Sequence, residues 1–297
     1  MAAAETPGIS AEAELSEKTQ PSTLSLVLRN KAVFWGGLLL LAMVAIAIVG
    51  PFFTAGPTDQ NVMSRLKAPS AAYWFGTDFL GRDVFSRVVY GGRVSLVVGI
   101  SVALIATAIG LVTGMLAGYI RWLDAPIMRV MDGLMAIPAI LLAIAMIAIS
   151  GATLTTVIVA ITIPEVPRVV RLVRSVVLTV REEPYVEAAI AAGTRLPTIL
   201  VRHILPNTIA PMIVQATYIC GAAMLTESIL GFLGAGIPPE IPSWGNIMSE
   251  GRTYFQLTPW IIFYPGVALA LTVLSVNIVG DGLRDTLDPR IARKMRA

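Results

Sequence analysis

Long apolar runs broken by short polar stretches dominate this chain. Runs at about 32–53, 94–120, 133–150, 208–230 and 259–279, with a shorter one starting near Thr153 and losing its charge-free character at Pro164, predict six transmembrane helices. Each full run is long enough to cross about 30 Å of hydrocarbon as a helix. The predicted fold class is therefore all-α, a polytopic membrane protein. Pro138 lies inside the third run and predicts a kink there. Between the fourth and fifth runs sits a polar segment, 181–207, and two longer polar loops separate the first from the second run and the fifth from the sixth.

The predicted organisation follows from this pattern. Residues 1–31 form a polar tail with an amphipathic lead-in at Leu24–Leu28. Residues 32–93 hold the first span and a loop whose second half, YWFGTDFLGRDVFSRVVYGGR, reads as a folded unit with short helices. Residues 94–280 form a five-helix core, and 281–297 a charged tail. The first run is too long for a cleaved signal, so it is expected to be retained.

Composition agrees with the pattern: 56% of residues are hydrophobic and 14% charged, against about 25% charged in a soluble domain. The mean hydropathy is +0.76. The net charge of +3 does not point to nucleic acid, because the basic residues flank the apolar runs. If the N-terminus lies in the cytoplasm, 16 of the 22 Lys and Arg residues fall on the cytoplasmic side and 6 outside, which favours both termini inside. Five of those six lie in the first external loop. Arg168, Arg171 and Arg174 recur every third residue, a helical face suited to anchoring by snorkelling at the interface.

Candidate chemistry is sparse. A single cysteine, Cys220, in an apolar run precludes an intrachain disulfide and reads as a small buried residue. The only histidine, His203, has no partner set for a metal, so neither a metal site nor a catalytic constellation is expected. None of the four lysines completes a Gly-x-x-x-x-Gly-Lys phosphate loop, so no ATP-binding cofactor site is expected in this chain. Glu227, inside the fifth run, is a candidate for the pathway or for a local pair. Asn277, in the sixth run, is a candidate for a helix–helix hydrogen bond or a substrate contact.

The polar segment has its own local logic. Pro184 suits a first helical position, preceded by Glu182 and Glu183 at a helix N-terminus. An alanine-rich helix through Ala192 is expected to stop at Gly193. Thr194 is expected to cap a second short helix that carries Pro197 in its first turn and ends near Leu205. Alanines at 188, 189, 191 and 192 leave a surface that another protein can approach, with Glu187 as a hydrogen-bonding carboxylate. On these grounds alone it could equally be an ordinary interfacial linker.

At these residues the chain resembles a known family. Glu187, Ala188, Ala189, then Gly193, then Leu205 and Pro206 match the signature loop of permease subunits of binding-protein-dependent ABC importers. RHILPN, WFGTDFLGRDVFSRVVYGGR, ESILGFLGAGIPPEIPSWG and NIVGDGLRDTLDPR resemble the dipeptide/oligopeptide branch, and this chain resembles its second, C-type subunit. His203 stands where the broad pattern often has isoleucine, and Glu165 where this branch often has an aromatic or small residue. The resemblance implies a bacterial inner-membrane location, a second homologous permease and two ATP-binding subunits gripping residues 187–193. It also implies a solute-binding protein outside, with ATP and Mg bound by the partners. Nickel or glutathione branches share these motifs, and a stand-alone carrier or channel is the alternative from another class.

Overall fold

The computed structural model describes residues 31–287, so the expected lead-in at Leu24–Leu28 and the chain beyond 287 lie outside the described residues. Helix α1 (Lys31–Val49) runs into a 3-10 turn, Gly50–Phe52. After a loop come α2 (Val84–Tyr119), α3 (Arg121–Ala136), α4 (Ala139–Ser150) and α5 (Leu154–Val180). Short α6 (Pro184–Ala191) follows. Then α7 (Leu196–Thr198) passes through a π-turn, Ile199–Ile204, into α8 (Leu205–Phe232). Helices α9 (Trp244–Arg252) and α10 (Trp260–Leu287) complete the described chain. Among the described residues the only β pairing is an isolated Thr77–Asp83 bridge.

Four helical stretches are long and apolar enough to cross a membrane: Lys31–Phe52, Val84–Tyr119, Leu196–Phe232 and Trp260–Thr286. The bent α3–α4 pair would make a fifth. Helix α5, at 27 residues about 40 Å long, carries Glu165, Arg168, Arg171 and Arg174 and is too charged to count with them.

Several boundaries differ from the sequence reading, each for a local reason. Span two begins at Val84, not near Val94, because the Asp83 carboxylate accepts from the Phe85 and Ser86 amides at 3.3 and 3.1 Å and starts the helix there. The third span is not one kinked helix over 133–150: α3 and α4 meet at 87°. Pro138 lacks an amide donor and holds Ile137 extended at φ −93°, ψ 129°, so the helix ends instead of bending. The connection before it, expected as a small loop, is helix α3. Helix α5 runs unbroken past Pro164 and Pro167. Thr194 caps nothing; Arg195 occupies the N-cap position without a side-chain bond. The second short helix does not end near Leu205 but continues into α8, and Asp281–Leu287 belong to α10 rather than to a separate tail.

The centre of the bundle is the contact of α2 with α5. Gly110, Gly114 and Gly118 on α2 meet Val169, Val173 and Val177 on α5, all three valines fully buried. A methyl group at Gly114 would sit 2.7 Å from Val173 Cβ and 2.9 Å from the Val170 carbonyl oxygen. Glycine at four-residue spacing therefore lets the two backbones approach closely. Between lipid-facing helices water exclusion supplies no driving force, so this dispersion contact must supply the attachment.

The arginine face of α5 does not snorkel freely. Arg174 donates to both Asp124 oxygens at 2.5 and 2.6 Å, and Arg171 donates to Asp132 at 2.6 Å, tying α5 to α3. Arg181 donates to the Gly118 carbonyl at 3.2 Å, fixing the same corner. We call this the α6 end. At the opposite, cap end, α9 lies across the bundle. Trp244 is buried there and donates to the Val88 carbonyl at 3.0 Å. Asp78, Arg82, Arg87 and Glu250 form one buried ionic network beside it, with Arg82–Asp78 at 2.6 Å, Arg87–Asp78 at 2.8 Å and both arginines on Glu250. The first loop is thus a folded plug clamped to α9.

Two outcomes follow. Gly114→Ala is expected to destabilise the chain by about 1–3 kcal/mol through overpacking, whereas Gly37→Ala, where a methyl meets nothing within 4 Å in the middle of α1, should leave stability unchanged or raise it by up to about 1 kcal/mol; thermal unfolding in detergent compares them. Arg174 holds the Asp124 carboxyl below its ordinary value of 3.8. The stability from this pair is therefore complete above that value and is lost as pH falls through the lowered folded pKa. The stability gap between wild type and Asp124→Asn should be constant at neutral pH and shrink only on strong acidification, measured by detergent unfolding across pH.

Candidate functional site

The polar segment forms a compact device at the α6 end. Pro184 occupies the first turn of α6, where its missing amide costs nothing. The helix stops after Ala191 because Gly193 takes φ +75°, the left-handed conformation that costs a Cβ-bearing residue about 1–2 kcal/mol. The Gly193 amide donates to the Ile190 carbonyl at 2.9 Å, and the Thr194 amide to the Ala189 carbonyl at 3.1 Å. This double closure satisfies the last carbonyls and reverses the chain sharply. A methyl at Gly193 would meet open space, so only the backbone conformation demands glycine.

Val186 is fully buried and joins a core that includes Val177, Val180, Ile199 and Ile204. It pins α6 against the end of α5 and the π-turn. On the outward side Glu187, Ala188, Ala191, Ala192 and Gly193 are exposed, and Ala189 is half-buried. Leu205 and Pro206 sit in the first turn of α8, Leu205 half-buried and Pro206 exposed. The two halves of the motif are joined by residues that the motif omits. The Asn207 side chain donates to the Tyr185 hydroxyl at 3.1 Å and to the His203 carbonyl at 2.8 Å, while the Tyr185 and His203 rings lie 6.2 Å apart. Beside α6 a groove of about 400 Å³ is lined by Tyr119, Arg121, Arg181, Glu182, Glu187 and Ile190. The surface therefore combines a carboxylate, a low alanine face and a basic wall, all fixed to the ends of two long helices.

The structure places the two intramembrane candidates apart. Glu227 is fully buried on α8, with Ser95 of α2 donating at 3.0 Å and Ser228 at 3.5 Å to one oxygen; the other has no partner among the described residues. Asn277 is half-buried in a cleft of about 250 Å³ between α5, α8 and α10, with Glu165, Arg168, Gln215 and Tyr218. Sequence reasoning left out Gln215 and Tyr218; a lone amide inside an apolar run was the signal for the first. Among the described residues no group of three metal-ligating side chains gathers.

Comparison with known proteins matches this architecture to one family. Residues 106–293 match the model described as "Binding-protein-dependent transport system inner membrane component", and residues 27–69 the "N-terminal TM domain of oligopeptide transport permease C". A probable peptide ABC transporter permease protein, y4tQ of Sinorhizobium fredii, is 50% identical over 266 residues, 90% of this chain and 91% of its own. The dipeptide transport system permease protein DppC of Alkalihalophilus pseudofirmus is 45% identical over 89% of this chain and 87% of its own. A chain of the MetNI methionine ABC transporter, in an inward-facing conformation, shares the fold with a TM-score of 0.55 at 22% identity over 67% of this chain and 95% of its own. The apolar helices, the Glu187–Gly193 turn and these matches converge: the chain belongs to the family of inner membrane components of binding-protein-dependent transport systems, as a multi-pass permease subunit of the bacterial inner membrane.

Proposed function

We propose that this chain is one of two homologous permease subunits forming the pathway of an ATP-driven peptide importer. Two ATP-binding partner subunits would grip α6, and an extracytoplasmic binding protein would deliver the peptide. The peptide reading is supported by relatives named as peptide and dipeptide permeases at 45–50% identity. The sequence holds no Gly-x-x-x-x-Gly-Lys loop, so ATP and Mg would be bound by the partners.

The proposed orientation puts both ends of the chain and α6 in the cytoplasm, with residues 133–150, the end of α3 and all of α4, and then α5 completing six crossings. It is supported by α1 and α10 running side by side, Gly36 against Ile278, so that both start or finish at the α6 end. The segment 54–93, the plug with the start of α2, carries five basic residues, and the pairing of Arg82 and Arg87 with Asp78 and Glu250 removes much of the objection to placing it outside.

The observation that carries the mechanism is the rigid mounting of an exposed α6. Glu187, Ala188, Ala189 and Gly193 would form the docking face, and Leu205 and Pro206 would pass its displacement into α8. Val186 and the Tyr185–Asn207 bond make α6 move with α5 and α8 rather than slide over them. Closure of the ATPases would then tilt these helices as rigid bodies and switch the access of the pathway. Glu227 and Asn277 remain the proposed gate and pathway positions in the membrane.

Proline at 193 cannot adopt the required φ of +75°. Gly193→Pro and Glu187→Lys are expected to reduce peptide uptake by about tenfold or more, the loss of roughly one charge-assisted contact or one helix stop. The ATPases should remain active and the subunit inserted. Uptake and ATP hydrolysis measured together in membrane vesicles give the coupling ratio; normal uptake in both variants would end the docking reading.

A further inference from the structure

The α5–α8–α10 cleft sits at mid-depth in the bundle. Glu165 lies 11 residues after the start of the 27-residue α5, about 16 Å from one end and about 22 Å from the other. Asn277 lies ten residues before the end of α10, about 15 Å from it. Polar groups at such depth cannot face lipid; they face protein or line a water-filled space. Pro164 and Pro167 flank Glu165 and withdraw two amide donors from this part of α5. The polarity continues toward the α6 end. The Tyr218 hydroxyl donates to Asp281, one turn beyond Asn277. The outer surface of α2, in contrast, presents apolar side chains such as Leu104 and Ile109.

We propose that this cleft is the chain's wall of the translocation pathway, and that Glu165 and Arg168 receive the charged termini of a passing short peptide. This rests on the peptide reading above. Arg168 donates through Nη1 alone, at 3.0 and 3.1 Å, to the two Glu165 oxygens. Its side chain is 54% exposed while that of Glu165 is 9% exposed. The remaining N–H groups of the guanidinium are therefore accessible to a carboxylate, and Glu165 keeps acceptor capacity for an ammonium. A zwitterionic peptide exchanges one internal ion pair for two, with no net charge added to the site. Gln215, Tyr218 and Asn277 offer neutral donors and acceptors that fit a peptide amide regardless of its side chains. Selection by backbone charge and amide suits a pathway that must pass many sequences and hold each only briefly.

The test uses the whole transporter with both permeases, its ATPases and its binding protein, in membrane vesicles, with Cys220→Ala in this chain. Leu225→Cys, at an apolar residue lining the cleft, reports both water access and ligand protection; Gln215→Cys and Asn277→Cys report water access alone, and Leu104→Cys probes the outer surface. A cationic, membrane-impermeant methanethiosulfonate should modify the cleft cysteines at least ~10-fold faster than Leu104→Cys, because water reaches only the former. Dialanine with ATP should slow the modification of Leu225→Cys, and Glu165→Gln or Arg168→Gln should abolish the protection. Cleft cysteines that react no faster than Leu104→Cys would show a seam packed against the second permease and overturn the pathway assignment. Fast reaction without protection, in vesicles that do accumulate dialanine, would overturn the role of Glu165 and Arg168. Vesicles with Cys220→Ala as their one substitution that accumulate no dialanine would instead overturn the peptide reading, while the modification rates still decide whether the cleft is the pathway.

Discussion

The close approach of α2 and α5 is the contact on which the rest of the arrangement depends. In a bilayer, burying a valine against a neighbouring helix gains little over burying it in lipid, so association requires more contacts than lipid can supply. Gly110, Gly114 and Gly118 provide them by removing the side chains that would hold the backbones apart, and Val169, Val173 and Val177 fill the space. Because α5 is held there, its polar residues have fixed addresses: Arg171 and Arg174 reach α3, and Glu165 and Arg168 look into the cleft with α8 and α10. A charged helix that would be a poor membrane span by itself is tolerable once its charges are matched by neighbours.

The two ends of the bundle solve different problems. At the cap end the buried network of Asp78, Arg82, Arg87 and Glu250 joins groups up to 168 positions apart and fastens the loop to α9. Paired and multiply hydrogen-bonded, those charges are held in place; removing one would strand the others, a loss typically of about 3–5 kcal/mol. At the α6 end the polar groups are left exposed and only the mounting is buried. The first arrangement resists movement, while the second presents a handle. A bundle built so can receive force at one end and transmit it through α5 and α8 without losing the folded cap.

Much of this was readable in the chain. The apolar runs announced the membrane class, Pro184 and Gly193 announced the start and stop of α6, and the Glu187–Pro206 pattern announced the family. Boundaries were misplaced where a single side chain overrode hydropathy: Asp83 lengthened α2 at its start, and Pro138 turned an expected kink into a right angle. Thr194 looked like a cap because threonine caps helices in general, yet the helix begins at Leu196, which puts Arg195 and not Thr194 in the N-cap position. The arginines of α5 looked like anchors because spacing alone shows a face and not what opposes it.

The sequence by itself determined the solvent, the family and the local breaks, because hydropathy over twenty residues and the φ demanded of one glycine are properties of short stretches. Only the tertiary structure decided which polar residues meet. Glu165, Gln215 and Asn277 lie on three helices and share a cleft, whereas Glu227, on the same helix as Gln215 but nearer its cap end, is sealed against Ser95. That choice depends on the rotation each helix adopts about its own axis, and the rotation is set by where glycines let backbones touch.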